Sequence, residues 1–238
     1  MKVSHKLLLA SIAFASFASC SKEPNYMHDQ SLSGTKQSAR PESEPEAIIF
    51  KASGDISSAL EEFRGLLGTL NSKPGAEGGR REVNWDGGPA LLTNNDQFPG
   101  DFFAAVDPLL PDARKRGLIN TTPGTGFSIS DNDFFFLNPK YDDQFNDFSP
   151  FKTFAAVGST ITDNFFKVPG TNTDATVQGF GVVFSDVDNA SSTSLEFFDG
   201  ERLLGSFKVP NNGNNNPGGF SFLGVYFPYE KVTRVRIH

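Results

Sequence analysis

Apolar residues recur along this chain with two periods, and the change from one to the other falls near residue 78. Over residues 55–70, Ile56, Leu60, Phe63, Leu67 and Leu70 stand three and four apart, which places them on one face of a helix. Ser53 and Asp55 are available as N-caps, and Lys73-Pro74-Gly75 ends the segment. From Gly78 the period is two. The alternation predicts strands over Arg81 to Trp85, Gly126 to Ser130, Phe134 to Leu137, Lys152 to Val157, Thr160 to Val168, Thr176 to Phe184, Thr193 to Phe198, Leu203 to Val209, Gly219 to Phe227 and Val232 to Ile237. Phe180, Val182 and Phe184 share one face of their strand, and Leu195 and Phe197 share one face of theirs. Asp199-Gly200 sits between two such runs, a strong hairpin signal. Short strands separated by turns, without helices alternating between them, predict a mainly β fold: an antiparallel β-sandwich of the jelly-roll kind preceded by one amphipathic helix. A closed barrel is the alternative.

The first 46 residues follow neither period. Lys2 and Lys6 precede an apolar run from Leu7 to Phe17, and Ala18-Ser19-Cys20 follows with small residues and the only cysteine. The run is too short to span a bilayer as a helix. The segment resembles a bacterial lipoprotein signal peptide, with Phe17 where the lipobox pattern usually has Leu; an ordinary secretory signal is the alternative. The resemblance implies cleavage before Cys20, acylation of Cys20 and an anchor of two or more acyl chains, which hold a protein stably on a membrane. The expected organisation is a signal peptide over 1–19, a disordered tether over 20–46, a helical segment over 47–77 and a β-sandwich domain over 78–238. The tether is expected from its polar, Pro- and Ser-containing composition.

Composition narrows the chemistry. Phe occurs 25 times against four Tyr and one Trp, with 23 Gly and 15 Pro, a recipe for pleated, half-buried surfaces punctuated by turns. Loss of Lys2 and Lys6 with the signal takes the formal charge from −7 to about −9, so nucleic acid is not an expected partner. The three histidines are His5, His28 and His238, leaving the sandwich without an internal imidazole or thiol for a Ser-His-Asp triad, a Cys-His pair or a His/Cys zinc site. With no nucleophile of that kind in view, the chain is expected not to be an enzyme.

Two sets of residues remain as candidate sites. Asp131-Asn132-Asp133 and Asp186-Val187-Asp188-Asn189, together with Asp142-Asp143, offer closely spaced oxygens of the kind Ca²⁺ takes; the competing reading is turn formation. Asp131, Asp133, Asp186 and Asp188 are therefore the candidate metal ligands, with Ca²⁺ as the only cofactor considered. Gly79-Arg80-Arg81-Glu82-Val83-Asn84-Trp85-Asp86-Gly87 carries the sole Trp beside charges and a turn. Trp85 and Asp86 are the candidate ligand-binding pair, with Trp85 as a sugar platform or, in the plainer reading, as a plug at one end of the sandwich with Arg81 and Glu82 paired at the edge. Glu82, Asp86, Glu196 and Glu201 are the acids from which a polysaccharide hydrolase would need two facing one another across a cleft.

The chain resembles a group of exported bacterial proteins that share a GRRE-x-NWDG segment, a PGTGF segment and a C-terminal pattern of GFG-x-VF-x-DVD, FSFLGV and VRI, here Gly79 to Gly87, Pro123 to Phe127 and Gly179 to Ile237. The resemblance implies a β-sandwich and carries no activity with it. The expected function is a lipid-anchored cell-envelope module, on the outer membrane if the host is Gram-negative, that binds a glycan or a neighbouring envelope protein without catalysis. A carboxylate-dependent polysaccharide hydrolase and a purely structural surface module are the alternatives.

Overall fold

Fourteen strands and one α-helix make up the fold in the computed structural model, which describes residues 9–10, 12–17, 45–75, 78–141, 144–213 and 218–238. In chain order they are β1 (Leu9–Ala10), β2 (Ile12–Phe17), β3 (Ile48–Ser53), α1 (Ser57–Leu67), β4 (Arg80–Val83), β5 (Phe103–Ala104), β6 (Lys115–Thr121), β7 (Gly126–Ser130), β8 (Thr153–Val157), β9 (Thr162–Phe166), β10 (Val177–Ser185), β11 (Ser194–Asp199), β12 (Arg202–Lys208), β13 (Phe220–Tyr226) and β14 (Arg234–Ile237). Every ladder between them is antiparallel. One sheet runs β3-β13-β10-β2-β4, a second β12-β11-β14-β9-β6-β5, and a small third β1-β8-β7.

The alternation seen in the sequence is what closes the two larger sheets on each other. Phe180 and Val182 of β10 and Leu223 and Val225 of β13 meet Leu195 and Phe197 of β11, Val235 of β14 and Phe166 of β9 in one continuous core. All but Phe166 are fully buried, and Phe166 nearly so. The chain is thus a mainly β, antiparallel sandwich, as its pattern predicts. The last six strands nest: β9 pairs with β14, β10 with β13 and β11 with β12, and successive pairs alternate between the two sheets. Three nested pairs are wound here, and the far side of β13 is taken by β3.

The helix covers the outer face of the five-stranded sheet. Leu60, Phe63 and Leu67 are buried against Val183 and Phe222. Phe63 fits because Gly181 and Gly224 pair across the ladder beneath it; a Cβ at either would stand 2.8 or 2.9 Å from the Phe63 ring. The helix begins at Ser57 with Ile56 as N-cap, and Asp55 Oδ1 accepts the Ser57 N–H at 3.0 Å. That bond to an exposed carboxylate holds the Asp55 carboxyl below its usual range. Gly68, at φ 85°, ends the helix and donates its N–H to the carbonyls of Arg64 and Gly65, so the helix stops short of Leu70.

Several sequence-based expectations change. The segment 47–77 opens with β3, an edge strand of the sandwich, so it is not purely helical. β6 is a further strand that the pattern did not announce, because Lys115 and Gly117 occupy two of its inward positions. Phe134 to Leu137 form turns, since Asp133 and Phe134 adopt φ of 55° and 56° and leave the extended region. Glu82 pairs with Arg64 Nε of the helix at 3.0 Å and Arg80 Nε at 2.7 Å, while Arg81 is buried; the expected Arg81–Glu82 edge pair is not formed. Burial and the nearby Arg116 guanidinium pull the Arg81 pKa down. His238, far from being an idle terminus, lies 3.0 Å from Glu196 Oε2. Within the segment expected to be a signal peptide, β2 occupies the place between β10 and β4. Cys20 and the tether as far as residue 44 lie outside the described residues.

Candidate functional site

At one end of the sandwich, loops following β7, preceding β8 and preceding β13 surround an open cleft of about 720 Å³ lined by Asp131, Asn146, Asp147, Pro150, Phe151 and Phe220. Side-chain-to-backbone bonds fold these loops. The Ser130 hydroxyl oxygen accepts the N–H groups of Asn132 and Phe134 at 3.2 and 2.8 Å, which turns the chain sharply at the end of β7. Asn94 clamps the same turn: its Nδ2 donates to Asp131 Oδ1 at 2.7 Å, and its Oδ1 lies 2.8 Å from Ser130 Oγ. On the opposite wall, Asn146 donates its backbone N–H to Ser185 Oγ at 2.9 Å and its Nδ2 to the Gly218 carbonyl at 3.0 Å. Below it, Phe145 packs edge-on against the buried Phe134, and Phe148 meets Phe220 at 5.4 Å. The 144–151 segment is therefore held from both sides.

Unusual backbone geometry concentrates around this cleft. Six described non-glycine residues have left-handed φ, and five of them, Asn94, Asp133, Phe134, Phe151 and Asp186, belong to the cleft or to the segments that clamp it. Such conformations cost about 1–3 kcal/mol each and persist where surrounding contacts impose them. Phe151 is the most telling: it stands at φ 145° and is 71% exposed, an aromatic ring held out into solvent beside two carboxylates. Next to Pro150, the buried Ser149 Oγ has no hydrogen-bond partner among the described residues.

The electrostatics single out Asp147. Desolvation pushes its carboxyl above the ordinary 3.8, and the neighbouring charges of Asp86 and Asp131 push the same way. A hydrogen bond from Thr153 Oγ1 pulls against them. Asp86 and Asp131 are thus close enough to act on Asp147, which holds its proton above the ordinary carboxylate range.

Of the residues singled out in the sequence, Asp131 lines the cleft and Asp86 borders it, accepting the Lys152 N–H at 3.1 Å. Trp85 does neither. It is 2% exposed, stacked on Phe154 at 3.9 Å and 9°, with Phe98 and Phe103 edge-on. It closes the interior as the plainer reading has it, and the expectation of a sugar platform at Trp85 is corrected by its burial. The four candidate calcium ligands belong to two turns: Asp131 is bonded to Asn94, while Asp186 accepts from Gln144 Nε2 at 2.8 Å, and desolvation, joined by the Asp186 charge, pushes the Asp188 carboxyl up. Among the described residues no three acidic, His or Cys side chains converge as a metal-ligand group. Asp142 and Asp143 lie outside the described residues.

The acids considered for hydrolysis also separate. Glu82 is neutralised by arginines, Glu196 pairs with His238, and Glu201 is exposed beside the turn between β11 and β12. Asn146, Asp147, Pro150 and Phe151 were not singled out by the sequence reading. The available signal was local, an Asn-Asp pair three residues before Pro-Phe in a segment with no period. Comparison with protein-family models, with curated proteins and with solved structures gives no match, so the site is read from its own geometry.

Proposed function

We propose that the chain is a non-catalytic binding module of the bacterial cell envelope, anchored through acylated Cys20, whose cleft takes a glycan. The observation that carries this reading is Phe151, exposed and held in an unfavourable backbone conformation beside a cleft also lined by Asp131, Asn146, Asp147, Pro150 and Phe220. An aromatic face covers the apolar side of a sugar ring, while carboxylates and an amide accept and donate hydrogen bonds to its hydroxyls. Among the described residues no helix is long and apolar enough to cross a membrane, so in this reading attachment rests on the lipid.

A glycan array followed by calorimetry tests the proposal. Phe151→Ala is expected to weaken the bound glycan about tenfold, equivalent to about 1.4 kcal/mol, with the fold unchanged. Binding that ignores both Phe151→Ala and Asp131→Ala would move the ligand elsewhere. A melting temperature raised by several degrees in millimolar calcium over excess chelator would add a metal to the module.

The raised carboxyl of Asp147 beside Asp86 and Asp131 supports a second reading, hydrolysis of the bound glycan, since that reaction uses two neighbouring carboxyl groups, one of them with a raised pKa. Release of reducing ends that stops in Asp147→Asn would replace the binding module by a hydrolase.

A further inference from the structure

β2 takes the place between β10 and β4 in the five-stranded sheet. It pairs on one side with Val177–Val183 of β10 and on the other with Arg80–Val83 of β4. The register sets large residues opposite small ones. Phe14 stands opposite Gly181, whereas Ala13 and Ala15 stand opposite Val182 and Phe180, and Ser16 opposite Gly179. Phe180 and Val182 are fully buried, so the edge of β10 that β2 covers belongs to the centre of the sandwich, where unpaired backbone groups are costly.

The far wall is fixed independently of β2. Arg80 exchanges backbone bonds with Thr69 and Asn71 at 2.9 Å each, and Glu82 is held by Arg64 of the helix. Without β2, β10 and β4 would stand two strand spacings apart, about 9–10 Å, a gap one strand wide. The polar segment between Cys20 and the sandwich offers no replacement: Lys22, Glu23, Pro24, Asp29, Lys36, Arg40 and Pro41 interrupt it, and it holds no apolar run.

If residues 1–19 leave with the signal, on which this inference rests, β2 leaves too. We propose that the mature chain is a strand acceptor: the gap between β10 and β4 takes an extended, uncharged, apolar segment from another exported polypeptide, antiparallel to β10. The preferred donor carries small, bulky and small residues opposite Val182, Gly181 and Phe180. Backbone bonds on both sides would supply affinity, and the size pattern would supply selection.

The test uses the full chain with a protease site inserted at Gly34. After cutting, native mass spectrometry follows replacement of the N-terminal fragment by a labelled peptide of residues 10–18 carrying terminal lysines for solubility. The expected result is a fragment that stays bound, is displaced by excess peptide and is not displaced by the same peptide with Ala15→Pro. A chain beginning at Ser21 supplies the second measurement: amide exchange over Val177–Val183 is expected to slow at least tenfold when the peptide is added. Full protection of those amides without peptide, together with no peptide uptake, would overturn the proposal. So would a dimer of the Ser21 chain that excludes the peptide, which would make a second copy the occupant. The intact mass of protein recovered from membranes separates this from the export reading. A mass that retains Met1 to Ser19 means β2 is a permanent strand in cis and ends the proposal, whatever the peptide does.

Discussion

Phe151 and Phe154 stand three residues apart, one in the loop of the cleft and one in β8, and the chain uses them in opposite ways. Phe154 is 3% exposed, stacked between Trp85 at 3.9 Å and Phe127 at 5.1 Å. Its extended backbone lets it alternate inward, and its ring gains area and contact at no backbone cost. Phe151 is 71% exposed at φ 145° and gains neither. In a chain with 25 phenylalanines, the residue type carries little information about function. An unfavourable conformation without burial is the informative combination, because nothing in the folding energetics favours it.

The largest effect is expected on the buried side of that comparison. Trp85→Ala removes the partner of Phe154, Phe98 and Phe103 and should cost about 3–5 kcal/mol, lowering the melting temperature by roughly 10 °C. A loss under about 1 kcal/mol would mean the aromatic cluster is loosely packed, and the contrast with Phe151 would dissolve. Phe151→Ala should leave stability within about 0.5 kcal/mol of the parent, as exposed positions do. Phe151→Gly should be more stable than Phe151→Ala by about 1 kcal/mol, because glycine adopts the required φ without strain. Equal stability of the two variants, read from urea midpoints, would remove the argument from strain.

The smallest effect is a slope. Because the Asp147 carboxyl is raised in the folded chain, the native state holds its proton to higher pH than the unfolded chain does. Stability therefore falls as pH rises from the ordinary 3.8 through the raised value, and the penalty stays above it. Asp147→Asn cannot ionise and keeps an oxygen for Thr153 Oγ1. Its melting temperature should equal the parent's at low pH and exceed it at neutral pH, and parallel profiles would show that Asp147 titrates normally.

The sandwich was legible where one residue in two faces the core. β7 falls on Gly126–Ser130 residue for residue, and β10 to β14 lie within two residues of the alternating runs at their starts and ends. Legibility failed where the inward position is not apolar, as at Lys115 and Gly117 of β6, and where the backbone leaves the extended region, as at Asp133 and Phe134. The cleft was harder still. Asp131 was visible as part of an acidic turn, but its partners arrive from Asn94, Asn146 and Phe220, residues that no local pattern links. Trp85 misled for a related reason: being the only Trp made it conspicuous, whereas its burial follows from Phe98, Phe103 and Phe154, which are distributed along the chain.

The position of β2 also sets a clock. Ile12–Phe17 precedes its ladder partner Val177–Val183 by about 160 residues. At typical elongation rates of about 5–20 residues per second, roughly ten to thirty seconds separate the two. Through that interval β2 has no β10 to pair with. Closure of the five-stranded sheet across β2 therefore waits until the chain has reached β10.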